Sequence, residues 1–134
     1  MMRSYFWVGL GGGLGAVLRY SLSSWIPGQA LPWNFLTINL SGSFVIGMIM
    51  ALAIDFSVLS QEIRLFVAVG VLGGYTTFST FMYGTYHLAL ADKDLGAAIY
   101  VVASIIGGLA ACGFGIGLVR ASMSALRNHQ DSSP

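Results

Sequence analysis

Residues 71–80, VLGGYTTFST, set two glycines, three threonines, a serine, a tyrosine and a phenylalanine inside an otherwise apolar run. Gly73-Gly74 ahead of Thr76-Thr77 makes a poor helix core, since each glycine costs about 1 kcal/mol against alanine. A helix that breaks here frees backbone carbonyls that can coordinate a cation. Where it restarts, it points amides and the positive end of its dipole at its surroundings. Ser79 and Thr80 add hydroxyls. Phe78 and Phe81 are three apart, on one face of a restarted helix. Aromatic rings have a positive edge, so two rings turned edge-on can lie beside an anion without a formal charge. Asn39, in TINLSGS, brings a side-chain amide with two N–H donors that needs partners; its plainest use is a hydrogen bond between helices. Tyr100, Ser104 and Gly108 recur at four-residue spacing and share a face along which a polar stripe can run. Arg19 is either a cation that snorkels to the interface or one that draws anions into an aqueous vestibule.

The elements that must position these groups are set by hydropathy. The chain is 134 residues long, 56% hydrophobic and only 8% charged, with mean hydropathy +0.78. Water-soluble domains carry roughly 25% charged residues, so this chain is read as an all-α membrane protein. Charged residues divide it into four apolar runs, about 4–25, 34–54, 64–91 and 95–120. Each meets the ~20 residues a helix needs to cross the hydrocarbon core. Helices are expected because lipid offers no partner to unpaired backbone groups. The third is expected to break near its middle. Residues 1–127 then form one transmembrane domain with no separate soluble part, and 128–134 a disordered polar tail. Pro27, Gly28 and Pro32 mark the first turn. The first run is followed by three more and interrupted by Arg19, so it reads as a retained span rather than a signal peptide.

With four spans, the N-terminus, the second loop and the C-terminus share one side. That side carries Arg3, Arg64, Arg120 and Arg127 against Lys93 and Arg19 on the other. So small a bias fits a protein that inserts both ways up, and fits many ordinary ones. The 18 glycines pair with other small residues four apart, as Gly9/Gly13, Gly11/Gly15, Ser43/Gly47, Ser104/Gly108 and Gly113/Gly117, which lets helix backbones approach closely. Within one subunit that is tight packing; so many small faces suggest packing between subunits as well.

Several classes are excluded. A net charge of +1 without a basic face argues against nucleic acid. Cys112 is the sole cysteine, and no His/Cys spacing suits a metal. Gly11-x-Gly13-x-x-Ala16 imitates a dinucleotide fingerprint but follows no strand, and GVLGGYTT lacks the lysine of a phosphate loop. Asp55, Glu62, Asp92 and Asp94 all fall at span ends. Proton-coupled exchange usually needs a carboxylate within the membrane, which counts against the tiny four-span drug/proton antiporters. A non-conducting scaffold would account for the glycines but not for the hydroxyl and phenylalanine cluster.

Three stretches, GGGLGAVLRY (11–20), TINLSGSF (37–44) and GGYTTFSTF (73–81), resemble in order the motifs of the Fluc/CrcB fluoride channels. The resemblance implies a non-enzymatic, multi-pass protein of the bacterial cell (inner) membrane that lets fluoride leave passively, down its gradient. It implies an antiparallel, dual-topology homodimer with two anion pores. Asn39 would be the pore asparagine, and Phe78 and Phe81 the rings whose edges line the fluoride path. Ser79, Tyr100 and Ser104 would belong to a polar track, and Arg19 to the vestibule. Gly73 and Thr76 would give backbone carbonyls from both subunits to a central, structural Na+. Two positions depart from the pattern: Gly108, where some relatives have a hydroxyl, and Tyr75, where an aliphatic residue is expected.

Overall fold

The computed structural model describes residues 2–26 and 31–131. Pro27 and Gly28 of the expected first turn lie outside the described residues, as do 132–134 of the expected tail.

The described chain is helical throughout. Helix α1 spans Met2–Trp25. Helix α2 spans Trp33–Met50 and widens into a π-helical end at Ala51–Asp55. A short helix α3, Gln61–Arg64, is capped by the Ser60 hydroxyl, which accepts from the Ile63 amide. It runs into a second π-helical segment, Leu65–Leu72, and then α4, Gly73–Tyr75. Helical geometry stops at Thr76 (φ −80°, ψ 156°) and Thr77 (φ −151°, ψ 121°), both extended. Helix α5 restarts at Phe78 and ends at Leu90. Asp92, at φ 54°, turns the chain in the left-handed region common just past helix ends. Helix α6 then runs from Asp94 to Asp131, so residues 128–131 continue it.

Among the described residues, three stretches are long and apolar enough to cross a membrane: Trp33–Asp55, Gln61–Leu90 and Asp94–His129. Many large apolar side chains face outward, including Phe6, Val17, Ile106, Leu109 and Phe114. Water would not tolerate so continuous an apolar exterior; lipid does. This is a membrane protein.

The packing explains what the break does. The third segment lies on α1 along Leu65–Leu72 and α4. After the break, α5 lies against α6. The extended pair Thr76–Thr77 therefore hands the chain from one neighbour to another. On the α1 side the approach is backbone to backbone. A Cβ added at Gly11 would strike the Phe66 carbonyl, one at Gly15 the Val71 carbonyl, and one at Gly74 the Gly12 carbonyl. Gly47 and Gly115 do the same between α2 and α6, against the carbonyls of Cys112 and Phe44. By contrast, Gly9, Gly13, Gly113 and Gly117 meet nothing within 4 Å. The small faces seen in the sequence thus divide into spent ones and open ones.

Leu36, Phe81, Leu88, Ala97 and Tyr100 form a buried cluster among α2, α5 and α6. At one end of the bundle, Arg3 lies 3.7 Å from Glu62 and Arg120 lies 2.7 Å from Asp55, while Arg127 sits over the Phe56 ring at 5.5 Å. The start of α1, the 55–64 connection and the later part of α6 therefore share one end.

Candidate functional site

The break is held open by one side chain. Asn39, on α2, accepts from the Thr77 amide through Oδ1 at 2.9 Å and donates from Nδ2 to the Thr77 carbonyl at 3.1 Å. In an uninterrupted helix the Thr77 amide would bond to the Gly73 carbonyl. Asn39 takes that amide and leaves the Gly73 carbonyl without its helical donor. One of the two Asn39 N–H groups is used; the other is not needed by Thr77.

The rest of the break is satisfied locally. Thr76 turns back, its amide and its hydroxyl both donating to the Leu72 carbonyl, at 2.9 Å and 2.8 Å. Thr77 caps α5, its Oγ1 accepting from the Thr80 amide at 3.3 Å. The Ser79 and Thr80 hydroxyls each lie 3.1 Å from that same Oγ1. A Cβ at Gly42 would collide with the Thr76 methyl, so the glycine of TINLSGSF is what lets the broken segment lie on α2. Tyr75 has a definite role here: its hydroxyl pairs with Ser41 Oγ at 2.9 Å, tying α4 to α2. Neither the Thr77 clasp nor the Tyr75–Ser41 pair was legible in the sequence, because the partners lie 38 and 34 residues apart.

Beside the break lies a cavity of about 430 Å³. Of the site residues expected from sequence, Asn39, Gly73, Thr76, Phe78, Phe81 and Ser104 all line it, joined by Thr77, Gly42 and Ser43. The two rings sit 5.8 Å apart, tilted by 51°. They differ in setting: Phe78 is 73% exposed and Phe81 only 6%. Phe81 packs in turn against the Tyr100 ring at 5.4 Å. Among the described residues, the buried Tyr100 hydroxyl and Ser104 Oγ have no hydrogen-bond partner. Such groups cost about 1–3 kcal/mol each when nothing engages them; the indole N–H of Trp7 is left in the same state. Ser79 is exposed and turned to Thr77, Arg19 is half-buried on α1, and Tyr100 packs against Phe81; none of the three lines the cavity. Among the described residues no group of three or more His, Cys, Asp or Glu could hold a metal ion.

The described chain is thus an all-helical membrane protein with a broken segment clasped by an asparagine and, beside it, an uncharged, mostly apolar cavity with a few polar groups on its wall. Residues 6–116 match the family model described as CrcB-like protein, Camphor Resistance (CrcB). The chain is 43% identical over 111 residues to a fluoride-specific ion channel FluC of Thermus thermophilus, covering 81% of this chain and 87% of that one. It is 39% identical over 112 residues to the protein of the same name from Geobacter metallireducens, covering 81% and 90%. It is 43% identical over 112 residues to that from Chlorobaculum tepidum, covering 82% and 89%. The chain belongs to the CrcB family.

Proposed function

We propose that this protein is a fluoride-selective channel through which F− leaves the cell passively, down its electrochemical gradient. The observation that carries the reading is the cavity at the break, where Asn39, Phe78, Phe81 and Ser104 converge without a formal charge. The fluoride-channel relatives agree with it.

Fluoride is small and strongly hydrated. A selective path must replace its water with donors set for a small anion. Asn39 offers its remaining N–H, Ser104 and Tyr100 their unpartnered hydroxyls, and Phe78 and Phe81 their ring edges. Ser79 lies at the start of α5, where its hydroxyl can turn from Thr77 to a passing ion. A larger halide fits so narrow a set of donors poorly. Binding must remain weak enough for exit, which neutral dipoles allow and a buried arginine would not. Arg19 acts, in this reading, at the mouth rather than along the path.

The working unit is an antiparallel, dual-topology homodimer of four-span subunits in the inner membrane, with α1 as the first span. Supporting this are the open glycine faces on α1 and α6 and the exposure of Phe78 in a single chain. A structural Na+ fits the carbonyls of Gly73 and Thr76 from each subunit. The Gly73 carbonyl has lost its helical donor to Asn39, and a Cβ added at Gly73 would meet nothing within 4 Å. The ion would supply fixed positive charge holding the two breaks together.

Purified protein in fluoride-loaded liposomes, read with a fluoride electrode, tests the function. Fluoride should escape far faster than from protein-free vesicles, and chloride should not. Escape no faster than from empty vesicles would overturn the reading in favour of a scaffold; proton-linked movement of organic cations would overturn it in favour of an antiporter.

A further inference from the structure

The polar stripe on α6 has a gap. Tyr100, Ser104 and Gly108 share a face, and the third has no side chain. A Cβ built on Gly108 would meet one group within 4 Å, the Oγ of Ser43 on α2, at 3.5 Å. Ser43 stands four residues after Asn39, so the two share a face of α2, and both line the cavity together with Ser104. Ser41, its near neighbour, spends its hydroxyl on the Ile38 carbonyl and on Tyr75. The Ser43 hydroxyl makes no hydrogen bond among the described residues. It is a half-buried hydroxyl on the cavity wall, opposite the notch, with no protein group to serve.

We infer that Ser43 is an ion-contacting donor that takes the place left vacant at position 108. The donor line therefore passes from α6 at Tyr100 and Ser104 across to α2 at Ser43 and back towards Asn39. A Cβ at position 108 would stand in ordinary contact with the Ser43 hydroxyl, so the two positions reach the same stretch of the path. This assignment rests on the channel reading above and adds to it a residue of the path.

The same liposome assay tests it, on the full chain. Ser43→Ala should slow fluoride efflux about tenfold, the order expected for losing one hydrogen bond to a charged group, with the purified protein still monodisperse. Adding Gly108→Ser to that variant should restore efflux most of the way, because the new hydroxyl starts from a Cβ already 3.5 Å from the lost one. A purely structural role for Ser43 would not be rescued from the opposite helix. Native efflux from Ser43→Ala, or a double variant no faster than the single one, overturns the inference while the channel reading stands. Absence of efflux from the native protein overturns the channel reading and this inference with it.

Discussion

Replacing Asn39 by aspartate separates what its amide does for the fold from what it does for an ion. The two side chains have the same shape. Aspartate keeps an oxygen 2.9 Å from the Thr77 amide, so that bond survives. The second contact changes sign: where Nδ2 donated to the Thr77 carbonyl at 3.1 Å, an oxygen would face an oxygen. The carboxylate would also stand on the cavity wall that fluoride must pass. Two unit negative charges about 4 Å apart repel by roughly 4 kcal/mol at an effective dielectric of about 20. At about 1.36 kcal/mol per decade, ion occupancy falls about a thousandfold. Asn39→Ala is the companion. It adds no charge but leaves the Thr77 amide unpaired, at a cost of about 1–3 kcal/mol. Fluoride efflux from liposomes at neutral pH, with thermal unfolding in detergent, reads both. Asn39→Ala should be the less stable and retain some efflux; Asn39→Asp should fold and fall below detection. An aspartate variant that passes fluoride as fast as the alanine variant would refute the placement of Asn39 beside the ion.

Phe81→Ile removes a ring edge from the cavity while keeping an apolar side chain in the buried cluster with Tyr100. Efflux should fall sharply with the oligomer intact by size exclusion. Equilibration in sodium-free buffer should lower efflux, because the Gly73 and Thr76 carbonyls would lose their ion; unchanged efflux sinks the carbonyl site. Tyr75→Phe should lower stability by about 0.5–1.5 kcal/mol through the lost bond to Ser41. Ser41→Ala should do the same, and the double variant should be less destabilised than the two losses added; full additivity would mean that the hydroxyls do not interact.

The residue types at the site were legible because membrane depth makes polar atoms conspicuous. Asn39, the Gly-Gly-Tyr-Thr-Thr stretch and the paired phenylalanines stand out in runs that are otherwise apolar. Their spacing placed Phe78 and Phe81 on one face, and both line the cavity. Three things were not legible. The partner of Asn39 is a backbone unit, and backbone carries no signal in the letters. Tyr75 reads as an oversized aliphatic until Ser41 is found opposite it. The π-helical segments Ala51–Asp55 and Leu65–Leu72 lie in runs apolar on every side, where a change in helical period leaves no trace. The glycine pattern was half legible: four-residue spacing marks close approach, but only neighbours distinguish Gly11, pressed on the Phe66 carbonyl, from Gly13, which meets nothing.

The asparagine and the break require each other. Lipid offers no partner to an unpaired backbone group, so extending Thr76 and Thr77 would cost about 1–3 kcal/mol more if the Thr77 amide were left open. A side-chain amide at the same depth is as costly if it finds no partner. Joined by two bonds, at 2.9 Å and 3.1 Å, the two defects largely cancel. The cancellation is incomplete in a useful way. Asn39 brings two N–H donors and Thr77 engages one; the Thr77 amide leaves the helix and the Gly73 carbonyl stays behind. One surplus donor and one surplus acceptor remain, on residues that both line the same cavity. A donor suits an anion in transit and a carbonyl suits a resident cation. On this reading, one backbone exchange gives rise to both sites.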